Sequence, residues 1–137
     1  KHYINEPQLP IFRGFDDIFY VPHSRHTEIH KDDILKIKDL KIFSESSEAG
    51  LYMIMSSNGR ELYVTGHSEY SPLTLDTEYK RDLKKKLPIE IPENYYMNDD
   101  PLQRPFVRWR GHANLFFSNW LNYYVYQETP YNINDIR

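Results

Sequence analysis

The sharpest pattern lies in the middle of the chain, where two β-rich runs, Leu51–Ser56 and Glu61–Thr65, flank Asn58-Gly59. Asn-Gly between two such runs predicts a tight hairpin, because both turn positions tolerate positive φ. Leu40–Ser44 predicts one more short strand, and residues 32–37 a helical turn opened by Asp32 and Asp33. Residues 1–22 are broken by Pro7, Pro10, Gly14 and Pro22 and are predicted to be loop. Beyond the hairpin, Ser71-Pro72 predicts an N-cap followed by proline at the first helical position. The helix is expected through about Lys86, with Leu75, Tyr79 and Leu83 facing inward and Lys84, Lys85 and Lys86 at its negative end. Pro88, Pro92, Pro101 and Pro105 predict a long loop over 87–108. His112–Tyr126 predicts a buried helix with Leu115, Phe116, Trp120, Leu121, Tyr124 and Val125 on a wide apolar face, ended by Thr129-Pro130.

These strands are too few to close a sheet of their own, so the pattern predicts part of an α/β layered domain. At 137 residues the chain is one domain or a portion of a larger one. It is expected to fold poorly by itself, since unpaired strand edges invite aggregation. The formal charge of −3 argues against a broad footprint for nucleic acid. There is no run of 18 apolar residues, so no transmembrane helix is expected, and Lys1–Pro10 lacks the apolar core of a signal peptide. The absence of cysteine excludes a disulfide scaffold and fits a cytoplasmic protein. It also excludes a cysteine nucleophile within this chain.

Four groups of residues have types that can do chemistry. His67-Ser68-Glu69 follows the second hairpin strand, and on extended chain residues two apart share a face. A histidine beside a carboxylate is the base and orienter that nucleophilic catalysis uses, though the spacing also suits a strand-end histidine and a solvated glutamate. His23, His26 and His30 would share one side of a helix and could ligate zinc, but Pro22 and the polar run argue for a loop, and no metal site is expected. Glu78 and Arg81 stand one turn apart on the predicted helix; an arginine fork can hold a carboxylate, and the pair can equally be a surface ion pair. The aromatics from Trp109 to Tyr126 can stack bases, but at helical spacing they suit a core.

Several runs together carry a resemblance. They are Phe15-Asp16-Asp17, Pro22-His23-Ser24-Arg25, Val64-Thr65-Gly66-His67-Ser68-Glu69-Tyr70, Glu78-Tyr79-Lys80-Arg81-Asp82 and Glu93-Asn94-Tyr95-Tyr96, with the long run from Phe117 to Tyr131. Nearly the whole chain resembles the homoserine O-succinyltransferase family. The resemblance implies a fold like that of class I glutamine amidotransferases, a flavodoxin-like layered sheet with a Cys-His-Glu catalytic set. It implies transfer of a succinyl or acetyl group from CoA to the hydroxyl of L-homoserine, a step into methionine biosynthesis, by a ping-pong route through a cysteine thioester. Succinyl-CoA or acetyl-CoA is then a co-substrate and no resident cofactor is needed.

By that resemblance His67 is the catalytic base and Glu69 its partner carboxylate. Ser24 is a substrate-binding serine that influences specificity, and Arg81 binds the homoserine carboxylate, with Glu78 close to the substrate ammonium. Residues 1–137 then form the C-terminal half of a single catalytic domain. The cysteine, two lysines and the position that selects the acyl donor lie upstream, so this chain alone is expected to be inactive. His26 stands where many relatives carry tyrosine, and Gly111 where many carry serine. The full-length protein is expected to be a homodimer, with no nucleic acid or membrane partner. A non-catalytic module for homoserine binding or dimerisation is the alternative, and an amidotransferase-like hydrolase a third reading.

Overall fold

The computed structural model of the chain describes residues 1–135. Five antiparallel strands form one sheet: β1 (His2–Ile4), β2 (Ile18–Phe19), β3 (Leu40–Ser46), β4 (Gly50–Ser56) and β5 (Leu62–Val64), in the order β2-β1-β3-β4-β5. Helix α1 (Lys31–Leu35) precedes β3, α2 (Thr74–Lys84) follows β5, and α3 (Arg110–Asn119) comes last. The expected α/β layering is present as helices on a sheet, and this sheet is antiparallel throughout the described residues.

The predicted hairpin forms. Met55 pairs with Leu62 and Met53 with Val64, and the turn closes as the Gly59 N–H donates to the Ser56 carbonyl at 2.9 Å. Gly59 takes φ of +73°, where a side chain would be strained. The Asn58 carboxamide oxygen accepts from the Arg60 N–H at 3.0 Å and from the Ser56 hydroxyl at 2.7 Å, which fixes the turn from inside.

β4 is the centre of the molecule. Leu51 through Met55 are all buried, an unbroken apolar run rather than an alternating one, because both faces of the strand are covered. Leu51 and Ile54 pack with Ile34 of α1. Tyr52, Met53 and Met55 pack with Ile11, Phe12, Phe19, Phe43 and Phe116. Fully burying an aliphatic or aromatic side chain of this size contributes about 1.5–3 kcal/mol.

Three expectations need correction. Residues 1–22 are not simply loop: they supply β1, β2 and a 3-10 turn, Pro10–Phe12. Their strands are two or three residues long: β1 pairs with the edge that β3 offers, and β2 pairs with β1. Helix α2 begins at Thr74 with Leu73 as its cap, not at Ser71-Pro72. Its free N–H at Asp76 is met from outside by the Tyr95 hydroxyl at 3.1 Å, which in turn donates to the Pro72 carbonyl at 2.6 Å. Lys85 and Lys86 lie past its end, Lys86 at φ of 58°, and its inward residues are Leu75, Tyr79 and Asp82 while Leu83 is exposed.

The last helix is also not the buried element expected. α3 gives way at Trp120 to a π-helical stretch, Trp120–Tyr126, and only Phe116 and Asn119 of α3 are buried. Phe117, Trp120 and Leu121 are exposed. Besides Phe116 in the core, a polar tie holds α3 down: the Asn119 amide donates to the Ile11 carbonyl at 3.0 Å and the Arg13 carbonyl at 2.8 Å.

Candidate active site

The end of β5 runs into Thr65-Gly66-His67, and this turn is held at close quarters. The His67 N–H donates to the Pro22 carbonyl at 2.8 Å. A Cβ at Gly66 would come within 2.7 Å of both the His23 ring and the Val21 side chain. Only glycine lets the strand end lie this near the Val21–His23 segment. The following Ser68 is buried, and its hydroxyl pairs with the Tyr52 hydroxyl at 2.9 Å. Burial pushes the Tyr52 phenol up to about 12, so it stays protonated, and the His-Ser-Glu segment is anchored on the central strand.

With Ser68 turned in, His67 and Glu69 turn out. The His67 Nδ1 lies 2.9 Å from a Glu69 carboxylate oxygen. The side chains are 36% and 59% exposed. A contact as open as this contributes only about 0–1 kcal/mol to stability. Its chemical content is larger: in the neutral ring a proton on Nδ1 can donate to the carboxylate, which leaves Nε2 with its lone pair, the arrangement of a general base. Tyr70 completes the turn, its N–H donating to the His67 carbonyl at 3.2 Å. Its ring stacks on the imidazole at 4.3 Å between centroids and 15° between planes.

The Tyr70 hydroxyl reaches α2, donating to both Glu78 oxygens at 3.0 and 3.1 Å. Burial and the Glu78 carboxylate raise the Tyr70 phenol above its ordinary value, and the Ser24 hydroxyl lies beside it. So the turn, the Pro22–Arg25 segment and α2 meet at this one tyrosine. Arg81, one turn after Glu78, does not pair with it as an i, i+3 bridge. Its Nε and Nη2 hold the two oxygens of Asp82 at 2.7 and 2.9 Å, and the Arg81 guanidinium holds the Asp82 carboxyl below its ordinary value. Arg81 is half exposed.

The three histidines considered as zinc ligands are separated. His30 caps α1, His26 is exposed and 4.0 Å from an Asp82 oxygen, and His23 points inward. The His23 ring stacks on the buried His2 at 4.9 Å and shares a 2.8 Å hydrogen bond between the Nε2 atoms. Burial pushes His2 down to about 2 and His23 to about 3, so both imidazoles are neutral.

Residues 1–131 match the family model described as homoserine O-succinyltransferase. The chain belongs to the homoserine O-succinyltransferase family. It is 71% identical over 137 residues to a protein named homoserine O-acetyltransferase from Phocaeicola vulgatus, covering all of this chain and 45% of that protein. A protein of the same name from Bacteroides fragilis gives the same figures. One from Desulfitobacterium hafniense is 61% identical over 135 residues, 98% of this chain and 44% of its own length. The chain therefore spans less than half the length of these curated relatives.

Of the residues that the family resemblance singled out, His67 and Glu69 are brought into contact, and Ser24 joins them through Tyr70. Arg81 lies on the same helix as Glu78 with its fork turned to Asp82. Sequence reasoning missed Tyr70, Ser68 and Tyr52 as parts of the site. Tyr70 had a signal, since it stands three residues after His67 in a segment that has to turn. Tyr52 had none, because its contact with Ser68 crosses from another strand. A cavity of about 170 Å³ lies behind Pro22–His23 against Tyr20, Arg108 and Trp109, and neither His67 nor Glu69 lines it. No helix of the described residues is long and apolar enough to cross a membrane.

Proposed function

We propose that the longest natural chain containing this sequence is a homoserine O-acyltransferase, moving a succinyl or acetyl group from CoA to the L-homoserine hydroxyl. The observation that carries the reading is the 2.9 Å His67–Glu69 contact, partly exposed and made through Nδ1, in a chain of this family. In the proposed route His67 takes the proton of a cysteine thiol supplied by the upstream part of the protein. The thiolate attacks the acyl-CoA carbonyl, the carbon–sulfur bond to CoA breaks, and CoA leaves with the proton as free thiol. His67 then takes the proton of the homoserine hydroxyl, the oxygen attacks the acyl-cysteine, and the cysteine departs as thiolate and regains that proton. The products are O-acylhomoserine and CoA, and the route calls on no resident cofactor.

In this reading Glu69 keeps the imidazole oriented and stabilises the imidazolium. Ser24 and Arg81 hold homoserine, and for Arg81 the Nη1 edge left open by Asp82 meets the substrate carboxylate. Positioning of this kind can supply several kcal/mol of barrier reduction. The glutamine amidotransferase-like architecture, the cytoplasmic location and the homodimer belong to the same proposal, as does the place in methionine biosynthesis. The relatives' names favour acetyl as the donor, while the family's description favours succinyl.

The test is CoA release by that longer protein with L-homoserine and either acetyl-CoA or succinyl-CoA, with Glu69→Gln and His67→Ala beside it. Homoserine-dependent release that is lost in His67→Ala is expected, and the donor that supports it names the acyl group. A folded protein that binds homoserine and releases CoA from neither donor overturns the reading in favour of a binding or dimerisation module.

A further inference from the structure

The contacts of Tyr70 exceed what a core or surface tyrosine needs. Its ring lies flat on one face of His67, at 4.3 Å and 15°. Its N–H bonds back to the His67 carbonyl at 3.2 Å, its carbonyl accepts the Trp109 indole N–H at 3.1 Å, and its hydroxyl donates to both oxygens of Glu78. The residue is thus pinned at backbone and side-chain ends by the turn, the start of α3 and α2. A ring pinned in this way is a rigid plate, and whatever stacks on it inherits its orientation. Among the described residues His67 makes one side-chain hydrogen bond, from Nδ1 to Glu69. A single hydrogen bond leaves an imidazole free to swing about that contact, whereas a bond in the ring plane together with a plate on its face fixes both the direction and the tilt of Nε2.

We propose that Tyr70 is the positioning residue for the His67 base, holding the imidazole plane by stacking and keyed to α2 through its hydrogen bond to Glu78. The inference rests on the acyltransferase reading. It assigns Glu78 a role through Tyr70, besides the place near the substrate ammonium that the family resemblance implies. It also makes α2, which carries Arg81, and the catalytic turn a single mechanical unit, because Glu78 and Arg81 sit one helical turn apart. The chemistry explains the choice of residue. Phenylalanine would supply the plate without the key, and a short polar residue the key without the plate. A base displaced by even about 1 Å from its proton can lose on the order of a hundredfold in rate.

The experiment uses the longest natural chain containing this sequence, with four variants: Tyr70→Leu, Tyr70→Phe, Glu78→Ala and the double variant Tyr70→Phe/Glu78→Ala. Tyr70→Leu is expected to lower kcat on the order of tenfold to a hundredfold with the KM for homoserine little changed, the split that a misplaced base produces. Tyr70→Phe and Glu78→Ala are each expected to lower kcat severalfold, and the double variant no further than the worse single one, because both break the same bond. A folded Tyr70→Leu with wild-type kcat overturns the proposal, and so do additive losses in the double variant. If Tyr70→Leu fails to fold, the double-variant comparison decides alone.

A second readout is independent of turnover: the nitrogen resonances of the His67 ring in ¹⁵N-histidine-labelled protein. The wild type and Tyr70→Phe are expected to give sharp ring resonances of one orientation, and Tyr70→Leu resonances broadened by the ring swinging about its bond to Glu69. If the wild type shows no acyl transfer, the functional reading fails. The line-shape measurement then decides the positioning role separately, and equally sharp resonances in Tyr70→Leu overturn it.

Discussion

A histidine–histidine pair and a histidine–glutamate pair lie close together in this molecule, and they have opposite fates. His2 and His23 are stacked, hydrogen-bonded to each other and held neutral by burial, pushed down to about 2 and about 3. His67, at the other side of Gly66, faces a carboxylate and water. The tautomers of the buried pair follow from its surroundings. Arg25 can only donate, so the His23 Nδ1 at 3.4 Å accepts, the His23 Nε2–H donates to His2, and His2 carries its proton on Nδ1. That Nδ1 has no partner among the described residues. The lesson is that the same side chain serves as packing or as a base according to what surrounds it. Burial without a counter-charge removes its proton chemistry, and a carboxylate with solvent access preserves it.

The widest way to break this comparison is in activity. His67→Ala is expected to lower homoserine-dependent CoA release by about 10²–10⁴-fold, the range for a general base, while His30→Ala at the exposed start of α1 leaves it close to wild type. Equal losses in the two variants, measured by thiol release, would remove the distinction.

The next is in pH. In the unfolded chain His2 and His23 titrate near 6.5, and in the folded protein only near 2 and 3. Between those values the unfolded state binds protons that the folded state refuses. The stability linked to this pair is therefore complete above about pH 6.5 and drains as pH falls, by up to about 1.4 kcal/mol per pH unit for each imidazole. Urea midpoints at neutral pH and pH 5 should show the loss, and His23→Gln should flatten it. A wild-type midpoint that does not move with acid would contradict the assignment.

A smaller effect is expected at the anchor between the two pairs. Ser68→Ala strands the buried Tyr52 hydroxyl, at a cost of about 1–3 kcal/mol, and Tyr52→Phe in the same chain should recover most of it. Chemical denaturation of the two variants reads this directly. The smallest stability change is expected from Glu69→Gln, less than about 1 kcal/mol since the pair is exposed, even as acyl transfer falls. Such a split between stability and rate would sharpen the contrast with His2 and His23, whose effect is on stability.

The parts of the fold that were legible are those with local causes. The Asn58-Gly59 hairpin, β3 and the long loop over 87–108 follow from turn residues, β-branched runs and prolines, and each acts over a few residues. β1 and β2 were not legible, because two or three residues carry no pattern of their own: β1 pairs with β3 and with β2, and β2 pairs with β1. The start of α2 was misplaced because its capping partner is Tyr95, about twenty residues away. The exposed face from Phe117 to Leu121 reads as core by composition, since sequence records that a face is apolar and not whether anything in this chain covers it. At the site, the spacing of His67 and Glu69 was visible as a possibility, and the family resemblance gave it a role.

By itself, then, the sequence determined the family, the hairpin that delivers His67 to the end of β5, and the residue types able to act as base and orienter. It could do so because spacing and turn chemistry are local, and because the long motif runs are specific. Only the tertiary structure decided which histidine is buried and which is free, that Ser68 turns in so that His67 and Glu69 turn out, and that Tyr70 joins the base to α2. Those outcomes depend on burial and on contacts between segments far apart in the chain, such as Tyr52 with Ser68 and His2 with His23. A protonation state is set by the surroundings that folding assembles, and no spacing along the chain encodes them.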